Sequence, residues 1–206
     1  MMNKKGAIKS RKKLILATTS PHRIKAFETL DIPFDFEGSD VEEYFEGRPD
    51  GPEKLVMCLA KLKAEAVAKN HKENCIIIGF DSVGCFEGKI LEKPKSKADA
   101  FRRLKALSGN KYEFYTGIHL IDNYLEGGQT AYYLAIKTEV LMRELETSEI
   151  NHYLMQDPNF KTYAIGHSTF GNYGATFAKE IHGSYNNLLY GLPLEAVIEI
   201  IRVVWS

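Results

Sequence analysis

The chain has 206 residues and no formal net charge, 27 Lys plus Arg being matched by 27 Asp plus Glu. Hydrophobic residues at 44% and charged residues at 26% are the proportions of an ordinary globular protein and exclude disordered, collagen-like and coiled-coil chains. The missing basic surplus argues against a nucleic acid polymer as partner. Without an apolar run of about 18 residues, no membrane partner is expected either.

Residues 1–12 carry Lys4, Lys5, Lys9, Arg11 and Lys12 and read as a flexible basic extension ahead of a single domain at 13–206. KLILA, Lys13 to Ala17, reads as a short buried strand. Ser20 then offers an N-cap and Pro21 a first helical residue for a helix through Leu30. A strand is expected at Ile32–Phe36, followed by an acidic turn at 39–43. Pro52 opens a helix to Asn70 with Leu55, Leu59, Leu62 and Ala66 on one face. CIIIG, Cys75 to Gly79, reads as a strand buried on both faces. Val83–Phe86 and Lys89–Leu91 flank Glu87-Gly88 as a two-residue hairpin. A helix follows at Lys97–Leu107, stopped by Gly109.

Tyr112–Ile121 and Tyr132–Met142 read as a longer strand pair around a polar loop containing Gly127-Gly128. Thr147–Met155 is expected to be helical, with Glu149 in its first turn. A Gly-, Tyr- and Asn-rich stretch runs on to Tyr190, and Pro193 starts a last helix striped by Leu194, Val197, Ile198 and Ile201. Alternating helices and strands make the fold class α/β. Cys58, Cys75 and Cys85 lack CxxC spacing and read as reduced thiols of a cytoplasmic protein. The 6 histidines show no metal-ligand spacing.

Four groupings can carry chemistry. Thr18, Thr19, Ser20 and Arg23 open a helix after a strand. Helix N–H groups, hydroxyls and a guanidinium fork suit an anion there, though a plain capped helix fits as well. Asp81 follows the buried CIIIG strand, where α/β proteins gather ligands. The two-residue turn brings Lys93 to the same end of the hairpin, so the pair is either a surface ion pair or a water-activating carboxylate beside an ammonium. Lys63 lies about 80° around the helix from Leu55, at the edge of the apolar stripe. It either snorkels or reaches into a cleft. Glu42-Glu43 is either a solvated turn or, with Asp81, a holder of Mg²⁺. P-loop, GxGxxG and GxSxG patterns are absent.

Taken in order, LILATTSPHR (14–23), VEE (41–43), LAKLKAEAVA (59–68), IIGFDSV (77–83), GKILEKP (88–94), IHGSYNNL (181–188) and GLPL (191–194) resemble the Maf family of nucleoside triphosphate pyrophosphatases. The resemblance covers nearly all of the chain from Lys13. It implies a two-lobed Maf/ITPase-like fold, a twisted mixed β-sheet flanked by helices with a central cleft, and commonly a homodimer. It implies metal-dependent hydrolysis of a nucleoside triphosphate between the α- and β-phosphates, with Mg²⁺ or Mn²⁺ as cofactor. The family's catalytic positions fall on Arg23, Glu43, Lys63, Asp81 and Lys93. Asp81 is then the proton acceptor, and Glu43 and Asp81 are the metal ligands. Thr18, Ser20, His22, Ser82, Gly171 and Asn172 are the expected substrate contacts. His22, Ser82 and the 165–174 segment depart from the common family pattern. Modified nucleotides such as 7-methyl-GTP and pyrimidine triphosphates such as dTTP or UTP therefore both stay open. A nucleotide-binding regulator of septum formation without turnover, or an ITP/XTP pyrophosphatase, are the alternative readings.

Overall fold

The computed structural model describes residues 12–72, 74–123 and 129–205. The expected extension, apart from Lys12, and the Gly127-Gly128 loop lie outside these. In chain order the elements are β1 (Lys13–Ala17), α1 (Pro21–Glu28), β2 (Asp35–Glu37), α2 (Pro52–Ala68), β3 (Cys75–Phe86), β4 (Lys89–Leu91), α3 (Lys97–Leu107), β5 (Lys111–Asn123), β6 (Gln129–Met142), α4 (Thr147–Gln156), β7 (Ala178–His182), α5 (Tyr185–Tyr190) and α6 (Leu194–Trp205). A single mixed sheet runs β2-β1-β3-β5-β6-β7, with β4 added to the far half of β3. β1 is parallel to β2 and β3; the remaining pairs are antiparallel.

Strand alternation sorts the side chains onto two faces. Leu14, Leu16, Ile76, Ile78, Phe80, Ile118 and Leu120 pack with Phe27 of α1 and with Val197 and Ile201 of α6. Ile15, Ala17, Cys75, Ile77 and Ile121 pack with Ala64 and Val67 of α2. A second core joins α3, α4, Tyr112 and Phe114 at the start of β5, and Val140 and Met142 at the end of β6. β5 and β6 thus run through both lobes, and the cleft opens between them.

Several expected elements change on folding. CIIIG is the first part of one continuous strand, because β5 pairs with β3 from Ile76 through Cys85. β2 starts at Asp35 rather than Ile32; Pro33 has no N–H to give a ladder, and Ile32 turns into the core. β7 and α5 arise in the stretch left without regular structure. The hairpin register agrees with the two-residue turn, Phe86 facing Lys89 and Gly84 facing Leu91. It ends there, so the two-residue turn does not carry the pairing on to Val83 with Glu92 or to Ser82 with Lys93. The carbonyl of Glu92 is instead taken by Arg103, which also holds that of Ala164.

The buried face of α2 is Leu55, Val56, Leu59, Ala60, Ala64 and Val67, with Leu62 and Ala66 of the expected stripe only partly buried. The rotation follows from where the helix rests. A Cβ on Gly79 would lie 2.2 Å from the Ala60 carbonyl oxygen, and one on Gly117 would lie 2.3 Å from that of Val56. The helix backbone therefore lies directly on two side-chain-free positions of β3 and β5. Gly79→Ala forces these layers apart and is expected to cost about 3 kcal/mol. For a chain of this size that lowers the melting temperature by roughly 6–12 °C, read by circular dichroism.

Candidate active site

β1 leaves β3 at Gly79, and β4 joins the same edge only at Gly84. Residues 80–83 of β3 therefore have no strand neighbour on that side. Arg23, one turn into α1, fills the opening. Its Nε donates to the carbonyl oxygen of Gly191 at 2.9 Å, Nη1 to that of Phe80 at 3.2 Å, and Nη2 to Ser82 Oγ at 2.8 Å. Ser82 Oγ also shares a 2.7 Å hydrogen bond with Thr116 Oγ1 on the facing strand. Burial lowers the Arg23 pKa, while Asp81 and Glu43 act to raise it. Gly191 ends α5 in the left-handed conformation, φ 61°. A Cβ there would lie 2.9 Å from Ser82 Oγ, so its backbone freedom and its lack of a side chain both serve this contact.

Asp81 points to the opposite face, toward α2. Its cross-strand neighbour is Gly117, so nothing on β5 crowds it. Lys63 Nζ lies 2.6 Å from Asp81 Oδ1 and 2.7 Å from Glu43 Oε1. Its side chain is only 14% exposed and that of Asp81 9%, so this is a cleft lysine rather than a snorkelling one. Burial pushes the Asp81 carboxyl above the usual range; Lys63 and Arg23 offset this only in part, and Glu43 adds to the rise. Burial also raises Glu43, but the hydrogen bond and charge of Lys63, with Lys93 and Arg23 beyond, bring it below the usual glutamate value. Two carboxylates on one ammonium are thus pushed apart, one to hold a proton more readily and one to stay ionised.

These residues line a cleft of about 380 Å³ together with Ser20, His22, Ser82 and Lys93. Ser20 stands at the N-cap of α1, but its hydroxyl makes no cap bond; its own N–H donates to Thr18 Oγ1 at 3.1 Å. Thr18 is buried beneath this turn and does not line the cleft. Lys93 is exposed. Of Glu42-Glu43, Glu42 points to solvent. Gly171 and Asn172 are also outside the lining: Asn172 Nδ2 donates to Asp157 Oδ2 at 2.8 Å, and Oδ1 accepts the Gly174 N–H. The Asn172 side chain is spent on shaping the loop.

Sequence reasoning missed part of the wall. Tyr44, Arg48, Glu92, Tyr163, His167, Thr169 and Tyr190 also line the cleft. They come from aperiodic segments, and only adjacency to Glu43 and Lys93 marked Tyr44 and Glu92. The His22 ring stands 6.1 Å from that of Tyr163, and both line the cleft. Burial pushes His167 down to about 4, so it is neutral at neutral pH.

Lysine in place of Arg23 supplies one ammonium for three acceptors on β3 and at Gly191. Arg23→Lys is expected to cost about 2–3 kcal/mol. It should also speed amide exchange at 80–83, as read by hydrogen–deuterium exchange.

The family described as Maf-like protein matches residues 13–204. The chain is 37% identical to the dTTP/UTP pyrophosphatase of Bacillus cytotoxicus, over 91% of this chain and 93% of that protein. It is 38% identical to the dTTP/UTP pyrophosphatase of Alkaliphilus metalliredigens, over 92% and 95%. In fold it is similar to a HAM1 protein from Coxiella burnetii, with a TM-score of 0.50, 15% identity and coverage of 93% and 99%. With a family match running across both lobes and the cleft, this chain belongs to the Maf family.

Proposed function

We propose that the protein hydrolyses nucleoside triphosphates between the α- and β-phosphates, releasing a nucleoside monophosphate and pyrophosphate. The observation that carries this is the Asp81–Lys63–Glu43 cluster, set beside the Arg23-filled opening in the sheet and facing a nucleotide-sized cleft. The names of the relatives support pyrimidine substrates, dTTP and UTP, ahead of modified purine nucleotides. The free thiols of Cys58 and Cys85 fit a reducing cytoplasmic setting.

In this reading Asp81 takes a proton from water as the oxygen attacks the α-phosphorus and the bond to the bridging oxygen breaks. Lys63 holds Oδ1 of Asp81 and so fixes the direction of the carboxylate. The raised affinity of Asp81 for a proton suits it to accept one. Lys63 and Lys93 balance the charge that builds up on the phosphate oxygens, while Arg23 keeps β3 open at the reaction point. No set of three His, Cys, Asp or Glu groups able to hold a metal occurs among the described residues. The paired carboxylates of Glu43 and Asp81 nonetheless fit Mg²⁺ or Mn²⁺, which take one or two carboxylates and complete their shell with water and substrate phosphates. Such an ion, when bound, polarises phosphoryl oxygens and neutralises the leaving group.

Pyrophosphate release is to be measured with Mg²⁺ or Mn²⁺ over dTTP, UTP, CTP, ITP, XTP, GTP and 7-methyl-GTP. Release from at least one is expected, fastest from dTTP or UTP. Asp81→Asn should fall by about 10²–10⁴-fold while still binding nucleotide. Binding without release by the wild type overturns the reading and favours a regulator.

The same substitution has a signed effect on stability. Unfolded, Asp81 titrates near its ordinary 3.8; folded, it titrates higher. Its contribution is therefore most favourable below that value and is lost as pH rises through the folded pKa. In metal-free buffer at pH 7, Asp81→Asn is expected to melt at or above the wild type. The advantage should shrink as the pH falls toward 3.8, as read by thermal scans at stepped pH. A variant that melts below the wild type at pH 7 contradicts the strained-carboxylate account.

A further inference from the structure

One charged cluster on the cleft wall has no part in the chemistry above. Arg48 Nη2 lies 2.9 Å from Glu92 Oε1, and Tyr44 donates its hydroxyl to Glu92 Oε2 at 2.8 Å. The guanidinium carbon of Arg48 stands 4.8 Å from the centre of the Tyr44 ring. The Arg48 side chain is only 20% exposed, and its Nε is buried with no partner among the described residues. A buried donor left without an acceptor is costly, and such groups mark places where an unseen oxygen completes the set.

The location narrows what that oxygen belongs to. Tyr44 follows Glu43 and Glu92 precedes Lys93, so the cluster joins the two segments that bring Glu43 and Lys93 to the cleft. Of the other cations there, Arg23 is held through each of its nitrogens to Gly191, Phe80 and Ser82, and Lys63, shared by two carboxylates, serves with Lys93 at the phosphate under attack in the reading above. A planar guanidinium held on one edge by a carboxylate and stacked on an aromatic ring keeps its remaining in-plane N–H donors for a tetrahedral oxyanion. Cleavage between the α- and β-phosphates sends the distal two phosphoryl groups away as one highly charged unit, which a guanidinium can hold alongside the bound ion.

We propose that Arg48 binds the β,γ-phosphoryl end of the substrate, and hence the departing pyrophosphate, with Tyr44 and Glu92 holding its guanidinium plane. This rests on the triphosphate-hydrolysing reading above and adds to it a residue that discriminates triphosphate from monophosphate.

The test is titration calorimetry of the full chain with inorganic pyrophosphate and with dTMP, in Mg²⁺ buffer. Wild type, Arg48→Ala and Arg48→Lys are compared, each checked for folding by its thermal transition. Arg48→Ala is expected to weaken pyrophosphate binding by about 10-fold or more and to leave dTMP within about twofold. Arg48→Lys, which keeps the charge but not the fork, should fall between. In steady-state turnover Arg48→Ala should raise KM for the triphosphate far more than it changes kcat. Unchanged pyrophosphate affinity in both variants, or an equal loss for dTMP, overturns the assignment. Failure of the parent reading looks different: a wild type that binds pyrophosphate through Arg48 yet releases none from any nucleotide.

Discussion

The site depends on a helix whose backbone rests on the sheet at two positions without side chains. At Gly79 and Gly117 the α2 backbone comes so close to β3 and β5 that even a methyl group has no room. That contact sets the height, rotation and position of α2 along the strands. Ala60 and Ala64 rest over Gly79, and Lys63, their neighbour on the helix, is thereby carried over Asp81 two residues further along β3. The ammonium is placed by backbone packing and not by the reach of a flexible side chain, which is why two carboxylates can share it at hydrogen-bond distance. A Cβ on either strand position would lift the helix and with it the charge.

A second constraint acts on the other face of the same strand. Parallel β1 stops at Gly79 and antiparallel β4 begins at Gly84, leaving a stretch of unpaired backbone inside the molecule. Buried carbonyl and N–H groups must find partners. Arg23 answers for the Phe80 carbonyl and ties Ser82 and Gly191 to the same group. The arginine that opens α1 thus acts in large part as a substitute for a missing strand. The cleft exists because the sheet edge is filled there by a side chain instead of a backbone. Odd-numbered β3 residues turn to α2 and even-numbered ones to α1 and α6, so Asp81 and Ser82, adjacent in sequence, serve separate networks.

Electrostatics then divides the labour within the cluster. Asp81 and Glu43 share one lysine, yet burial dominates for Asp81 and the surrounding cations dominate for Glu43. A single ammonium between a deep carboxylate and a shallower one is enough to give them opposite shifts, the condition under which one can exchange a proton while the other keeps its charge. Arg48, Tyr44 and Glu92 extend this charged wall of the cleft.

Much of this was legible before folding. Local patterns set the bounds of β1, α3 and the β3–β4 turn, because short-range sterics and helix stop signals act within a few residues. Helical spacing put Lys63 at the edge of a stripe, and strand-end placement singled out Asp81. Motif order then joined these with Arg23, Glu43 and Lys93. The sequence by itself therefore determined the α/β class, the main elements and the charged residues that meet in the cleft. Only the tertiary structure decided which face of α2 is buried, that CIIIG continues into one long strand, and that each nitrogen of Arg23 bonds to backbone or to Ser82. It also moved Asn172 and Gly171 away from the wall and brought in Arg48, Glu92 and Tyr163. These outcomes rest on contacts between residues far apart in the chain, where the absence of a side chain, as at Gly79 and Gly117, or of a neighbouring strand, as at 80–83, carries the information. Local periodicity does not register either absence.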